Sequence, residues 1–299
     1  MILQPEVSIL IVNYHTVPEL KRCLQSLAAQ QSVTLEVIIV DNSVDKNEQN
    51  ELQNLSDRHV KCLFSDKNLG FGRANNLAAS HATAELLLIL NPDTYLQSET
   101  LLRRYIDRFQ AGGEAMLAPL LVESEKGKLV YPRYSYPAQK LCKKTDFSIL
   151  AGNVAWVLGA CMMMRRDDYL RIGGFDSDYF MYGEDADICW RIRADLGAVG
   201  FDETLAVHHV GGASEKLAIS LAKWMRKRQG QYLFFSKHYH VTDVQRIALR
   251  QRVRASMKLA INAILNACLG PSNQRIDDDA RATATITVTA EMLAPMIKR

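Results

Sequence analysis

The chain of 299 residues has little excess charge of either sign, with 36 lysines and arginines against 33 aspartates and glutamates. A net charge of +3 is too small to indicate nucleic-acid binding, and we expect no nucleic-acid partner. Cys-x-x-Cys pairs are absent, and the six cysteines are scattered along the chain. This pattern excludes a disulfide framework or a cysteine zinc site and is typical of reduced core cysteines in a cytosolic protein.

Signals for export or membrane insertion are also weak. The N-terminus has no basic region before its first apolar run, which argues against a signal peptide. One uncharged stretch, 147–164, is long enough to be considered as a membrane span. Asn153 and two glycines lower its apolar character, so we expect no membrane-spanning helix.

Positive charge is concentrated in one stretch, 216–258, which we call the basic segment. It carries eleven lysines and arginines against one acid, Asp243. An amphipathic run overlaps its end, and these apolar residues can share one helix face: Ile247, Val253, Met257, Ile261, Ile264 and Leu265. Two interpretations are open. The helices pack on the rest of the protein and leave a solvated basic face, or they dock on an anionic membrane surface.

Strand patterns alternate with helical patterns in the first third of the chain. Nearly continuous apolar runs predict buried parallel strands at 7–13, 35–42, 60–64 and 85–91. Apolar residues at helical spacing predict helices between them at 17–30 and 71–81. This alternation indicates βαβ units, in which ligands bind beyond the carboxyl ends of the strands.

The pattern becomes mixed after residue 98. Helices are predicted at 98–111 and 184–196. Strands are predicted at 115–122, 128–131, 156–165 and 199–207. Beyond 215 helical periodicity dominates to about 268, whereas the alternating stretch ATATITVTA (282–290) gives no assignment. We predict an α/β fold with a mostly parallel central sheet flanked by helices and a C-terminal helical extension.

Polar residues follow the predicted strands, with Asn13, Asp41 and Asn91 at three strand ends. Asp41 either forms a turn or points its carboxylate at the ring N–H or ribose hydroxyls of a nucleoside. Asp93 stands either in a proline turn or at a site for a divalent ion that bridges two phosphates. A hard cation, Mg²⁺ or Mn²⁺, suits such a carboxylate.

A glycine-containing loop runs from Asn68 through Gly70 to Asn75 and enters a predicted helix. Its backbone N–H groups can face an anion. The loop lacks the third glycine of a dinucleotide-binding motif, which argues against NAD as a ligand.

Three acids lie within four residues at Glu184, Asp185 and Asp187, after an aromatic loop. Acids at the start of a helix commonly cap it, but crowded carboxylates also raise one another's pKa, as a general base requires. His208 and His209 follow a predicted strand, so that one imidazole can be either structural or a metal ligand.

Seven stretches of the chain together resemble the bacterial family 2 glycosyltransferases with the GT-A fold. They occur in the family's order within residues 6–240, and they are VSILIVNY, VIIVDNS, NLGFGRANN, LLILNPDT, WVLGACMMMRR, GGFDSDYFMYGEDADICWR and HHVGGAS. The chain is most similar to rhamnosyltransferase-like members that build cell-surface polysaccharides. The resemblance implies a GT-A catalytic domain at 1–215, with a nucleotide-sugar half at 1–95 and an acceptor half at 96–215. A basic helical extension at 216–270 and a tail of uncertain structure at 271–299 complete the predicted organisation.

The resemblance also implies a role for each candidate residue. Asp41 would contact the nucleoside, Asp93 would hold a divalent metal together with His208 or His209, and Asp185 would be the catalytic base. The remaining candidates are expected to bind substrate: Asn13, Asn68, Gly70, Asn75, Asn91, Trp156, Glu184 and Asp187.

Two departures from the family pattern affect this assignment. The family's Asp-x-Asp motif reads Asn91-Pro92-Asp93, so that an amide replaces one carboxylate, and Ala155 stands where many relatives carry an acid. The expected activity is inverting transfer of a sugar, with dTDP-rhamnose as the first choice of donor. The expected acceptor is a glycan or an undecaprenyl-diphosphate-linked glycan, at the inner face of the cell membrane.

Three alternatives to this assignment remain. The donor could be a UDP- or GDP-hexose instead. A sugar-nucleotide pyrophosphorylase would need a glycine-rich basic loop after the first strand, where this chain has Asn13-Tyr14-His15-Thr16. A non-catalytic membrane-associated relative would be expected to have lost the carboxylates that this chain retains.

Overall fold

The structure, a computed structural model, describes residues 4–123, 127–211 and 220–297. Two compact units can be distinguished. The first comprises Met1–Ser135, Ser148–Phe180 and Glu184–Lys216, and the second comprises Tyr136–Phe147, Met181–Gly183 and Leu217–Arg299. The domain boundary predicted at 215/216, the end of the HHVGGAS motif and residues 216–219 of the basic segment lie outside the described residues.

The first unit follows the predicted alternation of strands and helices. Its described elements are β1 (Val7–Asn13), α1 (Val17–Ala28), β2 (Leu35–Asp41), α2 (Lys46–Gln53), β3 (Val60–Phe64), α3 (Phe71–Ala79), β4 (Leu86–Leu90), β5 (Thr94–Tyr95), α4 (Leu101–Ala111), β6 (Met116–Glu123), β7 (Lys128–Val130), β8 (Cys161–Arg165), α5 (Arg166–Arg171), α6 (Glu184–Asp195) and β9 (Val199–His209).

All of the described strands belong to one sheet, in the order β3-β2-β1-β4-β8-β6-β9-β5, with β7 paired to β6. The strands β3, β2, β1 and β4 are parallel, and β6 is parallel to β9. The strand β8 runs antiparallel to both β4 and β6, which joins the two parallel parts into a mixed sheet. Because β1, β2 and β4 are parallel, their carboxyl ends lie at the same edge of the sheet.

Helices cover both faces of the sheet because its strands are apolar on both sides. Ile9 and Ile11 of β1 pack into one core, to which α1 and α4 contribute. Leu10 and Val12 face the opposite side and pack into a second core, to which α3 and α6 contribute. Strand residues alternate between faces, so a nearly continuous apolar strand fills both cores.

The second unit contains three α-helices in its described part, α7 (Ser220–His238), α8 (Val241–Leu269) and α9 (Asn273–Ile297), and a short 3-10 helix at Gln139–Leu141. An aromatic cluster joins the inserted segment 136–147 to α7 through Tyr136, which stacks on Phe234 with ring centroids 5.5 Å apart. The carboxylate of Asp243, at the start of α8, accepts hydrogen bonds from the backbone N–H groups of Lys143, Lys144 and Thr145.

The tail, which the sequence left without an assignment, forms α9. Its threonine hydroxyls donate to carbonyls four residues earlier, as Thr285 does to Arg281 at 2.8 Å and Thr289 does to Thr285 at 2.7 Å. The residues that α9 buries recur at helical spacing and include Ala284, Val288 and Thr289. Packing therefore determines the helix in spite of its β-branched, alternating sequence.

The strand at 156–165 and the cysteines differ in part from the expectations. The predicted strand 156–165 is shorter, because β8 begins at Cys161, while Trp156 forms an isolated bridge with Arg133. All six cysteines are free, but Cys268 is exposed, so the prediction of core cysteines is wrong for that residue. Among the described helices, none is both long and apolar enough to cross a membrane.

Candidate active site

Asn13 and Asp41 lie side by side at the carboxyl ends of β1 and β2. They are register partners, and Asn13 Nδ2 donates to Asp41 Oδ1 at 2.8 Å. The amide and hydroxyl of Ser43 also donate to the Asp41 carboxylate, at 3.2 and 2.8 Å. The turn interaction predicted for Asp41 is therefore present, and it holds the carboxylate in one orientation at the edge of the sheet. A nucleoside contact by Asp41 stays a prediction.

The loop from Asn68 to Gly70 is fixed by amide side chains. Asn68 Oδ1 accepts from the Gly70 N–H at 2.9 Å, and Asn42 Nδ2 donates to the Gly70 carbonyl at 3.2 Å. Gly70 has φ of +80°, and a Cβ on it would lie 2.2 Å from the carbonyl oxygen of Phe180. That same carbonyl accepts from the Phe71 N–H at 3.1 Å. Only glycine fits here, because any side chain would displace the loop that precedes the acidic cluster.

Asn75 lies fully buried in α3. Its Nδ2 donates to the Phe71 carbonyl at 3.0 Å, and its Oδ1 has no hydrogen-bond partner among the described residues. A buried amide oxygen without a partner is costly unless a ligand or water satisfies it.

The strand β5 brings Asp93 against His209. Thr94 of β5 pairs with His209 at the end of β9, and His209 Nε2 lies 3.2 Å from Asp93 Oδ1. The Val210 N–H donates to the Asp93 carbonyl at 2.9 Å, and the Gly211 N–H donates to Asp93 Oδ2 at 3.1 Å. Both side chains are buried, so this chain holds the predicted metal carboxylate and one predicted imidazole together.

His208 lies in a different environment from His209. Its ring stacks on Tyr95 with centroids 5.0 Å apart, and the guanidinium of Arg22 lies 3.6 Å from the centre of the Tyr95 ring. Burial and the charge of Arg22 lower the pKa of His208. Of the two histidines named by the sequence, His209 is the one that contacts Asp93.

The acidic cluster opens α6. Burial and the negative charge of Asp185 raise the pKa of Glu184 to about 8, and Glu184 Oε2 has no described hydrogen-bond partner. Burial raises the pKa of Asp185 to about 6, although the amide of Ala186, which donates at 2.8 Å, opposes the shift. Asp185 therefore has the raised pKa that suits a general base.

Asp187 differs from its two neighbours because it has a cationic partner. Its Oδ2 accepts from Arg191 Nε at 2.9 Å. The same guanidinium donates to the carbonyls of Ile172 and Gly174, so this ion pair connects α6 to the loop that follows α5. A substrate contact by Asp187 stays a prediction.

The segment Gly159–Ala160 contacts both Asn91, which follows β4, and Asp185 of the acidic cluster. A Cβ on Gly159 would lie 3.6 Å from the Asp185 Cβ, and the Ala160 carbonyl accepts from the Asn91 N–H at 2.9 Å. Trp156 precedes this segment, and its Nε1 is buried without a described partner. The structure thus places Asn91 and Asp185 against one short segment.

The donor set at Asp93 fits a divalent ion only if a substrate completes it. Asp93 and His209 offer one carboxylate and one imidazole, and the described residues contain no group of three or more His, Cys, Asp or Glu placed to hold a metal. A Mg²⁺ or Mn²⁺ ion commonly takes one or two protein ligands, with phosphate oxygens and water in the other positions.

Gly230 of α7 allows a close backbone approach that the sequence analysis did not predict. A Cβ at this position of α7 would lie 1.9 Å from the carbonyl oxygen of Tyr182, which itself has φ of +71°. A glycine within a helix is unfavourable, so its presence among good helix formers was the one signal that could have indicated a close backbone approach.

The chain is similar in sequence to glycosyltransferase families and to individual glycosyltransferases. The sequence model described as Glycosyl transferase family 2 matches residues 8–173, and one described as N-terminal domain of galactosyltransferase matches residues 150–204. The chain is 29% identical over 191 residues to the rhamnosyltransferase WbbL of Escherichia coli, with 55% of this chain and 70% of that protein covered. It is 23% identical over 298 residues to an N-acetylglucosaminyl-diphospho-decaprenol L-rhamnosyltransferase of Mycobacterium tuberculosis, with 89% and 95% covered.

A solved structure supports the fold independently. The mannosyltransferase PcManGT from Pyrobaculum calidifontis, in complex with GDP-Man and Mn²⁺, superposes with a TM-score of 0.59 at 16% identity. The similarity covers 100% of this chain and 89% of that one. It confirms the predicted GT-A fold with C-terminal helices.

Proposed function

This chain belongs to glycosyl transferase family 2 and is a glycosyltransferase, and from that premise we propose that it transfers rhamnose from dTDP-rhamnose to a glycan or lipid-linked glycan with inversion. The observation that carries the proposal is the set of polar contacts at the carboxyl edge of the sheet. Asn13 and Asp41 end two strands there, and the Asp93–His209 contact follows a third.

Two relatives favour rhamnose among the possible sugars. Both are described as rhamnosyltransferases, and one acts on a decaprenol-diphosphate-linked acceptor according to its description. The solved mannosyltransferase holds GDP-Man, so a GDP- or UDP-hexose is the alternative donor.

The residues of this chain have separate roles in the proposed reaction. The fixed Asp41 carboxylate orients the nucleoside. The amides of Gly70 and Phe71 donate within the protein, so the expectation that they face an anion is wrong, and the loop at Gly70 shapes the donor site through its fixed backbone. Asp185 takes the proton of the acceptor hydroxyl as that oxygen attacks the anomeric carbon from the face opposite the nucleotide. A single displacement needs one base, whereas a double displacement would need a second carboxylate as the nucleophile, by analogy with glycosidases.

Asp93 and His209 are the residues that would hold a divalent metal. Such an ion supplies neutralisation of the charge that develops on the diphosphate leaving group. The Gly211 amide, which donates to Asp93, keeps the carboxylate oriented toward the sheet edge.

A screen of nucleotide sugars tests the proposed function. The full chain is incubated with dTDP-rhamnose, UDP-hexoses and GDP-mannose, a diphosphate-linked sugar acceptor and Mn²⁺, and release of each nucleotide is measured. We expect transfer from dTDP-rhamnose, with the anomeric configuration of the product inverted by NMR. Transfer from another donor alone would replace the donor assignment, and a protein that transfers no sugar would favour the non-catalytic alternative.

The helix α8 supports a location at the inner face of the cell membrane, as a cytoplasmic peripheral protein. Its exposed apolar residues form a stripe along the helix: Leu249, Val253, Met257, Ile261, Ile264 and Leu265. Ile247, predicted to share this face, is instead fully buried, because it lies on the side of α8 that packs within the second unit.

Basic residues accompany this apolar stripe. Arg250, Arg252 and Arg254 are exposed on the same helix. An in-plane helix with an apolar face and arginines beside it binds anionic lipid, to which each cation adds ~1 kcal/mol near the surface. A lipid-linked acceptor would be presented at that surface.

A further inference from the structure

One cavity of the first unit lies beside His209, but the mechanism described above assigns no ligand to it. It has a volume of about 420 Å³ and is lined by Lys128 of β7, Tyr131, Arg133, Trp156 and His209. Cavities that bind small ligands have volumes of roughly 300–1,000 Å³, so this one can hold a sugar with a linked group.

Backbone hydrogen bonds build the walls of this cavity. The Arg133 N–H donates to the Trp156 carbonyl at 2.8 Å, and the Ala155 N–H donates to the Arg133 carbonyl at 2.7 Å. On another wall, Glu123 of β6 is the register partner of His209. The side chains that line the cavity therefore extend from paired backbone.

The cavity adjoins the Asp93–His209 contact. His209 lines it and also contacts Asp93 at 3.2 Å. Leu158 lines it as well and directly precedes Gly159, the residue that lies against Asp185. A molecule in this cavity therefore lies beside His209, one of the two residues proposed to act at the leaving group.

The lining combines aromatic surface with positive charge. Tyr131 is 47% exposed, and such a ring can pack against the apolar C–H face of a pyranose. Lys128 lies 3.5 Å from Glu123. Arg133 is exposed in the lining, and its guanidinium forms no ion pair within the described part of the chain. An unneutralised arginine is suited to bidentate recognition of phosphate.

We infer that this cavity binds the acceptor, with Tyr131 against the acceptor sugar and Arg133 on a phosphate attached to that sugar. The inference rests on the proposed function, because it supplies the acceptor side of the same reaction. It assigns recognition of the acceptor sugar to Tyr131 and recognition of its phosphate to Arg133.

Equilibrium binding to the full-length protein tests this inference with two probes. One is N-acetylglucosamine linked to an octyl chain through a diphosphate, and the other is the neutral octyl glycoside of the same sugar. We expect Arg133→Ala to weaken binding of the diphosphate probe at least tenfold, Arg133→Lys to retain most of it, and neither to change binding of the neutral probe. Tyr131→Ala should weaken binding of both probes. Arg171→Ala, at an exposed arginine of α5, is the matched control and should change nothing.

Other results would overturn the inference or separate it from the proposed function. Unchanged binding of the diphosphate probe to Arg133→Ala, or no binding of that probe to the wild type, overturns the inference. An equal loss of dTDP binding in Arg133→Ala also overturns it, because the cavity would then serve the donor diphosphate. Arg133-dependent probe binding by a protein that transfers no sugar would remove the proposed function and leave the cavity assignment in place.

Discussion

His209 Nε2 lies 3.2 Å from Asp93 Oδ1, although the two residues are far apart in the sequence. The contact depends on β5, a strand of only two residues whose Thr94 pairs with His209. A short strand in this position therefore decides which of two adjacent histidines meets the carboxylate.

Metal dependence is predicted to follow this contact. Asp93→Ala should abolish transfer, because the leaving diphosphate loses its charge partner, and the fold should survive because Asp93 lies after a strand end. His209→Ala should raise the Mn²⁺ concentration needed for half-maximal activity at least tenfold, whereas the adjacent His208→Ala should shift it much less. Full activity in excess EDTA would remove the metal from the mechanism.

Loss of the base is predicted to affect turnover rather than donor binding. Asp185→Asn should lower kcat by ~10²–10⁴-fold, the usual contribution of general-base catalysis. Donor affinity, measured by calorimetry with dTDP, should remain close to that of the wild type. A product with retained anomeric configuration would contradict the single-displacement mechanism.

The pH profile provides a separate test of the same carboxylate. A base acts in its deprotonated form, and burial raises the pKa of Asp185 to about 6. The rate should therefore fall as pH decreases through about 6, which is well above the ordinary aspartate value. A profile that stays flat down to pH 5 would exclude Asp185 as the base.

Gly70→Ala is predicted to destabilise the loop and reduce transfer. The new Cβ would lie 2.2 Å from the Phe180 carbonyl oxygen, and φ of +80° strains any L side chain by ~1–3 kcal/mol. Thermal unfolding should show a lowered Tm. Gly113→Ala is the matched control, because a Cβ there meets nothing within 4 Å, and its Tm should be unchanged. Equal Tm values for the two variants would refute the clash.

Asp243 is predicted to stabilise the second unit through its buried carboxylate. Burial alone would raise its pKa, but hydrogen bonds from the backbone amides of 143–145 lower it well below the ordinary value. Asp243→Asn should cost about 1.5–3 kcal/mol, since the backbone amides of Lys143, Lys144 and Thr145 lose hydrogen bonds to a charged acceptor. Asp278→Asn breaks a more exposed pair with Lys258 and should cost less than about 1 kcal/mol.

The lowered pKa of Asp243 also fixes a pH dependence of stability. The carboxylate stabilises the folded state fully above its unfolded pKa of about 3.9, and this stabilisation is lost as pH falls below that value. Urea unfolding of wild type and Asp243→Asn at pH 7 and pH 3 measures it. The difference between the two proteins should shrink at pH 3, and a constant difference would contradict the assigned charge.

Vesicle binding tests the basic face of α8. The wild type should bind vesicles that contain anionic phosphatidylglycerol at low salt, and ionic strength should release it. The triple variant Arg250→Glu, Arg252→Glu, Arg254→Glu should bind these vesicles more weakly and should transfer sugar to a soluble acceptor as fast as the wild type. The matched control is the triple variant Arg58→Glu, Lys61→Glu, Arg171→Glu, which changes the same charge at exposed residues outside α8 and should bind the vesicles as the wild type does. If the wild type does not bind these vesicles at low salt, the basic segment is only a solvated face.

The sequence predicted the parts of the fold that depend on local pattern. The apolar runs identified β1 to β4, and the polar residues after them marked Asn13, Asp41 and Asp93 at the sheet edge. Pairing between distant segments could not be predicted in this way. The contact of β5 with β9, the cavity beside Arg133 and the approach of Tyr182 to Gly230 arise from tertiary packing, which leaves little trace in local periodicity.

The threonine-rich helix α9 has a consequence for folding. Its β-branched alternation favours an extended strand when no partner is present, and its helix contacts α7 and α8 within the second unit. The helical state of α9 therefore depends on its packing against α7 and α8. A chain in which α7 or α8 is disrupted should expose residues 282–290 as a strand-forming segment, through which separate molecules would associate by β pairing and precipitate.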